Sequence, residues 1–301
     1  MIQFSGVGKT YRSWLGRTVN AVADFSLTIN EGEVLGLAGP NGAGKSTLIG
    51  LLLGFMRPTS GSVTVYGLPP RTFVQRHGMG YLSELVAVPG SWRTENALRR
   101  YALLAGIAPD NVEARVETVI GQLGLEEHRK KLIKQLSKGN LQRVGLAQSL
   151  LHDERILILD EPTHGLDPMW TQRFRDLVDE LRRPDRAIFI ASHNLDELQR
   201  ISDRVAIIDR GRLQRVVDLK VAPTTEVHAP YRITVASGAE HVRAVFPDAT
   251  LDGPGEFDIP QRSLDALNRQ LAELLSRGAL VVSVSPVHAA LEQQFREAIS
   301  Q

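Results

Sequence analysis

The first third of the chain alternates apolar and polar residues over short stretches, as β-strands do. The stretch "VNAVADFSLTI" alternates in polarity, Asn30–Glu33 has the composition of a turn, and "VLGLAG" is a short, continuous apolar run. A second β-rich stretch follows at Ser60–Gly67. These features predict a region of strands and turns that leads into a buried strand.

Helical periodicity replaces this pattern from about Glu84 to Leu151, for example in "ENALRRYALLAG" and "ARVETVIGQLGL". Strands and helices then alternate through "RILILDEP", "TQRFRDLVDELRR", "AIFIAS", "LDELQRI" and "RVAIIDRGRLQRVV". This order predicts an α/β fold with a parallel sheet and helical crossovers. Arg210–Gly211, between two apolar runs, predicts a closing hairpin.

A stretch rich in Pro and Thr, 221–230, predicts a linker between a large domain, 1–220, and a small domain, 231–301. The small domain begins with the strand "YRITVAS", then has a short helix, a Gly/Pro turn, a helix near 263–277 and the strand "LVVSVS". A last helix contains Leu291, Phe295 and Ile299. We expect this α+β domain to serve in packing or regulation, because it contains no catalytic constellation.

Composition narrows the choice of partners and location. The 301 residues suit one large and one small domain, and the formal net charge of +1 provides no basic field for a nucleic-acid partner. The chain has no cysteine, which excludes disulfides, thiolate metal sites and cysteine nucleophiles. The N-terminus lacks the apolar core of a signal peptide, and no run approaches the roughly 20 apolar residues that span a bilayer. We therefore expect a cytoplasmic protein that reaches a membrane only through a partner.

A glycine-rich motif, "GPNGAGKST", follows the apolar strand and precedes "LIGLLLG". It matches the P-loop pattern in the strand–helix context that the pattern requires, which disfavours a chance glycine-rich turn. Its backbone N–H groups are suited to face phosphates, Lys45 adds a positive charge, and Ser46 offers a hydroxyl to Mg²⁺. The predicted nucleotide-binding residues of this loop are Gly39, Pro40, Asn41, Gly42, Ala43, Gly44, Lys45, Ser46 and Thr47.

An apolar strand ends in two adjacent carboxylates, Asp160 and Glu161, in "RILILDEP". In open α/β folds this end of the strand lies at the edge where ligands bind. Asp160 is suited to hold Mg²⁺ through water, and Glu161 is suited to act as a general base on the attacking water. On its own "DEP" predicts a polar strand end equally well, but the P-loop favours the catalytic interpretation.

The stretch "LSKGNLQRVGLAQSLL", Leu136–Leu151, begins with polar residues and continues as an amphipathic helix. Ser137–Asn140 would place several N–H groups at a helix N-terminus, which is a second anion site. Together with "GPNGAGKST", "ILILDEPTHGLDP" and "IASHNLDE", in this order, the stretch resembles the corresponding motifs of the ATP-binding cassette (ABC) ATPases. The resemblance covers about 1–219, and we name Leu136–Leu151 the signature segment.

The resemblance implies a P-loop NTPase fold with a parallel-sheet core, an N-terminal antiparallel β subdomain and a helical subdomain at about 84–151. It implies a head-to-tail homodimer that sandwiches two ATP molecules, each between the P-loop of one subunit and the signature segment of the other. Ser137 and Gly139 match the positions that contact the γ-phosphate bound by the opposite subunit. Asp167 matches the loop that crosses the dimer interface.

Two further roles follow from the resemblance. His193 matches the switch histidine that contacts the γ-phosphate and orients the attacking water, although a histidine after a buried strand is more often structural. Tyr11 matches the aromatic residue that stacks on adenine, and Trp14 competes for this role because stacking tolerates any aromatic ring. The predicted catalytic residues are Glu161, His193 and Lys45, and the predicted Mg²⁺ ligands are Ser46, Glu84 and Asp160.

The sequence departs from the common family pattern at several positions. Glu84 stands where glutamine is common, and a carboxylate there still ligates Mg²⁺, so we expect retained activity with altered metal dependence. Lys138 and Asn140 differ from the commonest signature, and His164 stands where serine is frequent. The signature serine and glycine are kept, so the phosphate contact is expected to survive. Lys138 either adds positive charge near the nucleotide or is simply solvated.

The overall pattern most resembles ATPase subunits of bacterial multi-component exporters. The leading hypothesis is an ATP-hydrolysing subunit that powers a separate transmembrane permease, for export or for lipid, drug or polysaccharide translocation, at the cytoplasmic face of the membrane. The stretch after Glu84 is expected to dock the permease. An importer ATPase is chemically indistinguishable. A soluble mechanoenzyme of DNA repair or ribosomes is disfavoured because neither a coiled coil nor a second cassette is visible, and Glu161 disfavours a non-catalytic protein.

Overall fold

The computed structural model describes residues 1–12, 16, 18–219, 229–286, 291, 295 and 298–299. The chain divides into two compact units, one of Met1–Leu219 with Ala298–Gln301 and one of Lys220–Glu297. In chain order, the elements of the first unit are β1 (Ile2–Arg12), β2 (Thr18–Ile29), β3 (Val34–Ala38), α1 (Lys45–Leu52), β4 (Ser60–Val65), α2 (Pro70–His77), β5 (Gly80–Leu82), α3 (Thr94–Leu104), α4 (Pro109–Gln122), α5 (Lys138–Leu150), β6 (Ile156–Asp160), α6 (Pro168–Leu181), β7 (Ala187–Ser192), α7 (Leu195–Ile201), β8 (Arg204–Asp209) and β9 (Arg212–Asp218).

The N-terminal strands form a three-stranded antiparallel sheet in the order β2-β1-β4. Their alternating polarity places one set of side chains in the core, where the rings of Phe4 and Phe25 meet edge to face with centroids 5.5 Å apart. The segment predicted from alternation alone is therefore a β subdomain, and it packs into the same hydrophobic core as the first helix.

A six-stranded sheet in the order β5-β6-β7-β3-β8-β9 forms the centre of the first unit. Its first five strands are parallel, and β9 pairs antiparallel with β8 through a hairpin turn at Arg210 and Gly211, both with positive φ. Every residue of β3, β6 and β7 is buried, as expected for a parallel sheet covered on both faces. The carboxyl ends of these three strands meet at one edge, and they are followed by Gly39, Glu161 and His193.

The predicted helical segment contains three α-helices, α3, α4 and α5, joined by turns. Helix α5 is buried along most of its length from Gln142 to Leu150, so its apparent amphipathicity at the sequence level reflects only its polar first turn. The stretch between Ser83 and Arg93, immediately after β5, is not helical. No helix among the described residues is long and apolar enough to cross a membrane.

The second unit is a small α+β domain with a four-stranded antiparallel sheet in the order β11-β12-β10-β13. Its apolar core includes Ile233, Val242, Phe246, Phe257 and Leu274. In chain order, its elements are β10 (Ala229–Ser237), α8 (Ala239–Val245), β11 (Thr250–Gly253), β12 (Glu256–Arg262), α9 (Leu264–Ser276) and β13 (Leu280–Pro286).

The observed elements differ from the sequence-based predictions at a few points. Strand β10 begins at Ala229, which pairs with Arg262, so the predicted linker at 221–230 extends two residues too far. The short elements α2 and β5 and the strands β11 and β12 were not predicted, because segments of three to eight residues carry little periodicity. In the predicted last helix, Leu291, Phe295 and Ile299 are helical.

Candidate nucleotide-binding site

The P-loop, Gly39–Thr47, turns sharply between the buried strand β3 and helix α1. Gly44 has φ +112°, and a Cβ atom built on it would lie 2.6 Å from the carbonyl oxygen of Ala21. A side chain at this position would therefore meet both backbone strain and a close contact. The N-terminus of α1 has no side-chain cap, so its free N–H groups are available to an anion.

Lys45 begins helix α1 and curls back over the loop. Its Nζ donates hydrogen bonds to the carbonyl oxygens of Gly39 (2.6 Å) and Pro40 (3.2 Å), and only 8% of the residue is exposed. Burial lowers the pKa of this ammonium, while the nearby carboxylates of Glu161 and Asp160 raise it. Lys45 is therefore a positive charge held at the bottom of an acidic cleft.

The P-loop opens into a cleft of about 560 Å³ at the carboxyl edge of the parallel sheet. Residues from four separate segments of the chain meet there, which places the predicted phosphate loop, carboxylates and histidine in one site. The cleft is lined by Asn41, Gly42, Gly44, Lys45, Ser46, Thr47, Glu84, Asp160, Glu161, His164 and His193.

Carboxylates crowd the cleft where a cation was predicted. Burial, with Glu84 and Glu161 as the next contributions, raises the pKa of Asp160 to about 6. No group of three His, Asp or Glu side chains in the described part of the chain is arranged to hold a metal ion alone. Ser46, Glu84 and Asp160 line the cleft together, and their hydroxyl and carboxylate oxygens are of the donor type that a hard cation prefers.

Glu161 follows β6 in a left-handed backbone conformation with φ +49°. Its N–H donates to the carbonyl oxygen of Ala191 (2.8 Å), which fixes the backbone against strand β7. Its Oε1 accepts the backbone N–H of His193 (3.0 Å), and its Oε2 accepts Ser192 Oγ–H (3.1 Å) and lies 2.8 Å from His193 Nδ1. An ionised carboxylate only accepts hydrogen bonds, so the ring proton of His193 lies on Nδ1.

Ser137 and Asp167 each cap the N-terminus of a helix. Ser137 Oγ accepts the N–H of Asn140 (3.2 Å) at the start of α5, and Asp167 Oδ1 accepts the N–H of Trp170 (2.8 Å) at the start of α6. Within the described ranges, neither these two residues nor Gly139 line the cleft of their own chain. The resemblance assigns them instead to the nucleotide of a second subunit.

Tyr11 lies beside the P-loop helix at the end of β1. Its hydroxyl donates to Met56 Sδ (3.1 Å) and its Oη lies 3.4 Å from Thr47 Oγ1, while 40% of the residue is exposed. An exposed ring at the rim of the P-loop is suited to stacking. The alternative, Trp14, lies outside the described residues.

Three residues of the site had no predicted role. Ser192 holds the carboxylate of Glu161, His164 lines the cleft, and Gln142 Nε2 donates to the carbonyl oxygens of Glu161 (3.1 Å) and Pro162 (3.2 Å). All three lie next to predicted motifs, and the position of Ser192 directly before the switch histidine was the available signal.

Fold and cleft together define a P-loop ATP-binding cassette. A match to the ABC transporter family covers residues 22–164. Over 277 residues the chain is 31% identical to YdbJ of Bacillus subtilis, an uncharacterized ABC transporter ATP-binding protein, and the match covers 91% of this chain and 89% of that protein. The chain therefore belongs to the family of ABC transporter ATP-binding proteins.

Further comparisons describe the range of this similarity. The chain is 37% identical to all4389 of Nostoc sp., in a match that covers 71% of this chain and 65% of that protein. It is 36% identical to sll0415 of Synechocystis sp., in a match that covers 69% of this chain and 60% of that protein. The dimeric structure of MJ0796, a bacterial ABC transporter cassette, has a similar fold. The match has a TM-score of 0.68 and 23% identity, and it covers 73% of this chain and 99% of that one.

Relatives of similar identity are named for transport of different substrates, and only some of these names state a direction. The bacitracin transport ATP-binding protein BcrA of Bacillus licheniformis is 35% identical over 64% of this chain and 63% of its own. The methionine import ATP-binding protein MetN 1 of Pseudomonas putida is 34% identical over 71% of this chain and 66% of its own. Similarity alone therefore assigns no direction.

Proposed function

We propose that this chain hydrolyses ATP as the energy-supplying subunit of a transporter whose permease is a separate polypeptide. The observation that carries the proposal is the cleft itself. Lys45, Asp160, Glu161 and His193 converge there beside the N-terminus of helix α1, which has no side-chain cap. This set supplies phosphate binding, a cation site and a general base within one pocket.

ATP is the substrate, and its phosphates would bind at the P-loop. Lys45 Nζ now donates to two backbone carbonyl oxygens, Gly39 O and Pro40 O. Phosphate oxygens would replace these neutral acceptors with charged ones, which form the stronger hydrogen bonds. The loop therefore holds the lysine where the β- and γ-phosphates would arrive.

Ser46, Asp160 and Glu84 would hold Mg²⁺ in this site. When bound, the cation neutralises charge on the phosphates during phosphoryl transfer. Glu84, where glutamine is common in the family, gives the cation one more negative ligand. We therefore expect activity to be retained with a changed dependence on Mg²⁺.

Glu161 is the proposed general base. A carboxylate offers about four acceptor positions. Three are filled by Ser192 Oγ–H, His193 N–H and His193 Nδ1–H, and one remains for the attacking water. The three donors fix the carboxylate in place, so little reorganisation would precede proton transfer.

The complete site would require a second copy of the chain. Ser137, Gly139 and Asp167 belong to segments that the resemblance places across a head-to-tail dimer interface. In that arrangement the signature segment of one subunit completes the cleft of the other, which gives ATP a higher affinity for the closed dimer than for separate subunits.

A mixing experiment tests the shared site. A Lys45→Ala subunit has a defective P-loop and a Ser137→Ala subunit has a defective signature, so each homodimer has two impaired sites. In their heterodimer, one site combines the intact P-loop with the intact signature. We expect ATP-dependent capture of differently tagged heterodimers and partial recovery of hydrolysis. Absence of any ATP-bound heterodimer would refute the shared site, and two tagged Lys45→Ala subunits serve as the control.

We further propose export, or movement of a lipid, drug or polysaccharide, at the cytoplasmic face of the membrane. The support is the resemblance of the small domain and of the motifs to exporter ATPases. Co-purification with a multispanning membrane protein tests the partner. ATP-driven uptake of its substrate into inside-out vesicles tests direction, and uptake only into right-side-out vesicles would refute export.

A further inference from the structure

The start of helix α5 packs closely on the loop that follows strand β6. We name this loop, Glu161–Asp167, the post-strand loop. A Cβ built on Gly139 would lie 2.8 Å from the carbonyl oxygen of Gly165, and Gln142 donates to the carbonyl oxygens of Glu161 and Pro162. The first turns of the signature segment and the post-strand loop are therefore in direct contact within one chain.

Lys138 extends this contact with its full side chain. A Cβ built on Gly165 would lie 2.9 Å from both Lys138 Cγ and Lys138 Cδ, so the aliphatic stem lies over the backbone of Gly165, which has φ +80°. The ammonium of Lys138 contacts His164 Nε2. An ammonium only donates hydrogen bonds, so Nε2 of His164 is the acceptor in this contact.

The two partners face different nucleotides in the proposed dimer. His164 lines the cleft of its own chain with Lys45 and Glu161. Lys138 belongs to the signature segment, which would complete the cleft of the second subunit. The contact therefore joins a residue of one ATP site to a residue of the other through a single chain.

A second contact holds the same two elements together further along α5. The guanidinium of Arg143 lies 3.6 Å from the ring centroid of Trp170, in the first turn of α6 after the post-strand loop. Arg143 also donates to the carbonyl oxygens of Leu123 and Gly124. Helix α5 is therefore tied to the start of the post-strand loop through Gln142 and to helix α6, directly after the loop, through Arg143.

We propose that Lys138 and His164 act as one pair of positioning residues that couples the two ATP sites. The ammonium of Lys138 acts through His164 on the placement of the post-strand loop, and with it of Glu161, rather than by adding charge at a phosphate. Both residues depart from the common family pattern, so this coupling is a property of this chain. The proposal rests on the proposed ATPase function and shared-site dimer.

A double-mutant cycle tests the pairing. Lys138→Met keeps the stem over Gly165 and removes the ammonium, and His164→Ser removes the acceptor. We expect each single variant to lower kcat by about threefold to tenfold. The kcat of the double variant should be no lower than that of the less active single variant. KM for ATP should change less than about twofold, and Lys138→Arg should restore kcat, because the donor is restored. Lys130→Met, at an exposed position, and His241→Ser, at a half-buried position in the second unit, are the matched controls, because neither residue lines the cleft.

The heterodimer of a Lys45→Ala subunit and a Ser137→Ala subunit has one intact ATP site. It distinguishes a positioning role of Lys138 from a direct contact between Lys138 and phosphate. In that heterodimer the Ser137→Ala subunit supplies the working P-loop and Glu161, while its own signature serves only the impaired site. We expect Lys138→Met in this subunit to lower hydrolysis as much as His164→Ser does there. A direct phosphate contact would leave hydrolysis unchanged by Lys138→Met in this subunit.

The outcomes distinguish this inference from the proposed function. Additive losses in the cycle, a rise in KM alone, or no effect of either single variant in an active enzyme would overturn the pairing only. A wild-type protein without ATPase activity would overturn the proposed function and the pairing with it. If thermal unfolding shows that a variant is unfolded, Lys138→Gln and His164→Phe repeat the cycle with the same criteria.

Discussion

Replacing Glu161 by glutamine removes the proposed general base with little change in shape. The carboxylate accepts three hydrogen bonds, from Ser192 Oγ, His193 N and His193 Nδ1. The amide oxygen of glutamine has two acceptor positions, so it keeps two of the three donors. The lost hydrogen bond is one to a charged acceptor, so the cost to folding is roughly 1.5–3 kcal/mol.

The cost to hydrolysis should be much larger. A positioned general base contributes about 10²–10⁴-fold to a rate, which corresponds to about 2.7–5.4 kcal/mol at 1.36 kcal/mol per factor of ten. The amide cannot take a proton from water, whereas ATP binding by the P-loop is untouched. We therefore expect kcat to fall by about 10²–10⁴-fold while an ATP-bound dimer accumulates.

Phosphate release under saturating Mg²⁺ and ATP measures kcat, and size-exclusion chromatography with and without ATP measures dimer formation. Glu127→Gln, an equivalent change at an exposed position, is the matched control. A Glu161→Gln protein that folds and turns over within about threefold of wild type would refute the assignment of the base, because so small a loss lies far below the expected contribution.

Three further predictions follow from the geometry of the cleft. The pKa of Asp160 is about 6 in the folded protein against an ordinary value of 3.8, so the folded state binds more protons and the free energy of unfolding falls as pH rises between these values. Asp160→Asn should thus stabilise the nucleotide-free protein at pH 7.5 by about 1–2 kcal/mol, allowing for screening by solvent. At pH 3 it should give no gain in the free energy of unfolding, because Asp160 is then protonated in both states. A gain that is independent of pH would contradict this prediction. Gly44→Ala should cost about 1–3 kcal/mol in urea unfolding and more than Gly42→Ala, which has positive φ but no atom within 4 Å of the new Cβ; equal costs contradict the close contact. Glu84→Gln should raise the Mg²⁺ concentration for half-maximal ATPase by about threefold to tenfold with kcat nearly unchanged, and an unchanged Mg²⁺ requirement would make the position structural.

The features that sequence alone predicts are those encoded in contiguous residues. The P-loop combines a buried strand, a glycine-rich turn and a helix within one short stretch, and the acidic pair Asp160 and Glu161 directly ends an apolar run. The edge of a parallel sheet then brings such segments together without any knowledge of individual contacts. Placement of these groups and His193 in one cleft was therefore predictable from the topology.

The contacts that set the geometry of the site are not encoded locally. From the sequence, Lys138 is either a charge near the nucleotide or a solvated side chain, yet its ammonium contacts His164 of the same chain. The two residues lie 26 positions apart, and their meeting depends on how α5 packs on the post-strand loop. Hydrophobic periodicity predicts that a helix packs, but it carries no information on which polar side chains then touch.

The contact between Glu161 and His193 places a condition on the charge of the histidine during hydrolysis. With its proton on Nδ1, at 2.8 Å from the carboxylate, the neutral ring presents a lone pair at Nε2, which repels phosphate oxygens. The imidazolium presents an N–H at Nε2 instead. If Nε2 contacts the γ-phosphate, as the resemblance implies, His193 must carry a second proton while it still donates to Glu161. The charge of the histidine and the basicity of the glutamate are then linked through one hydrogen bond, so the two residues act on hydrolysis as a unit.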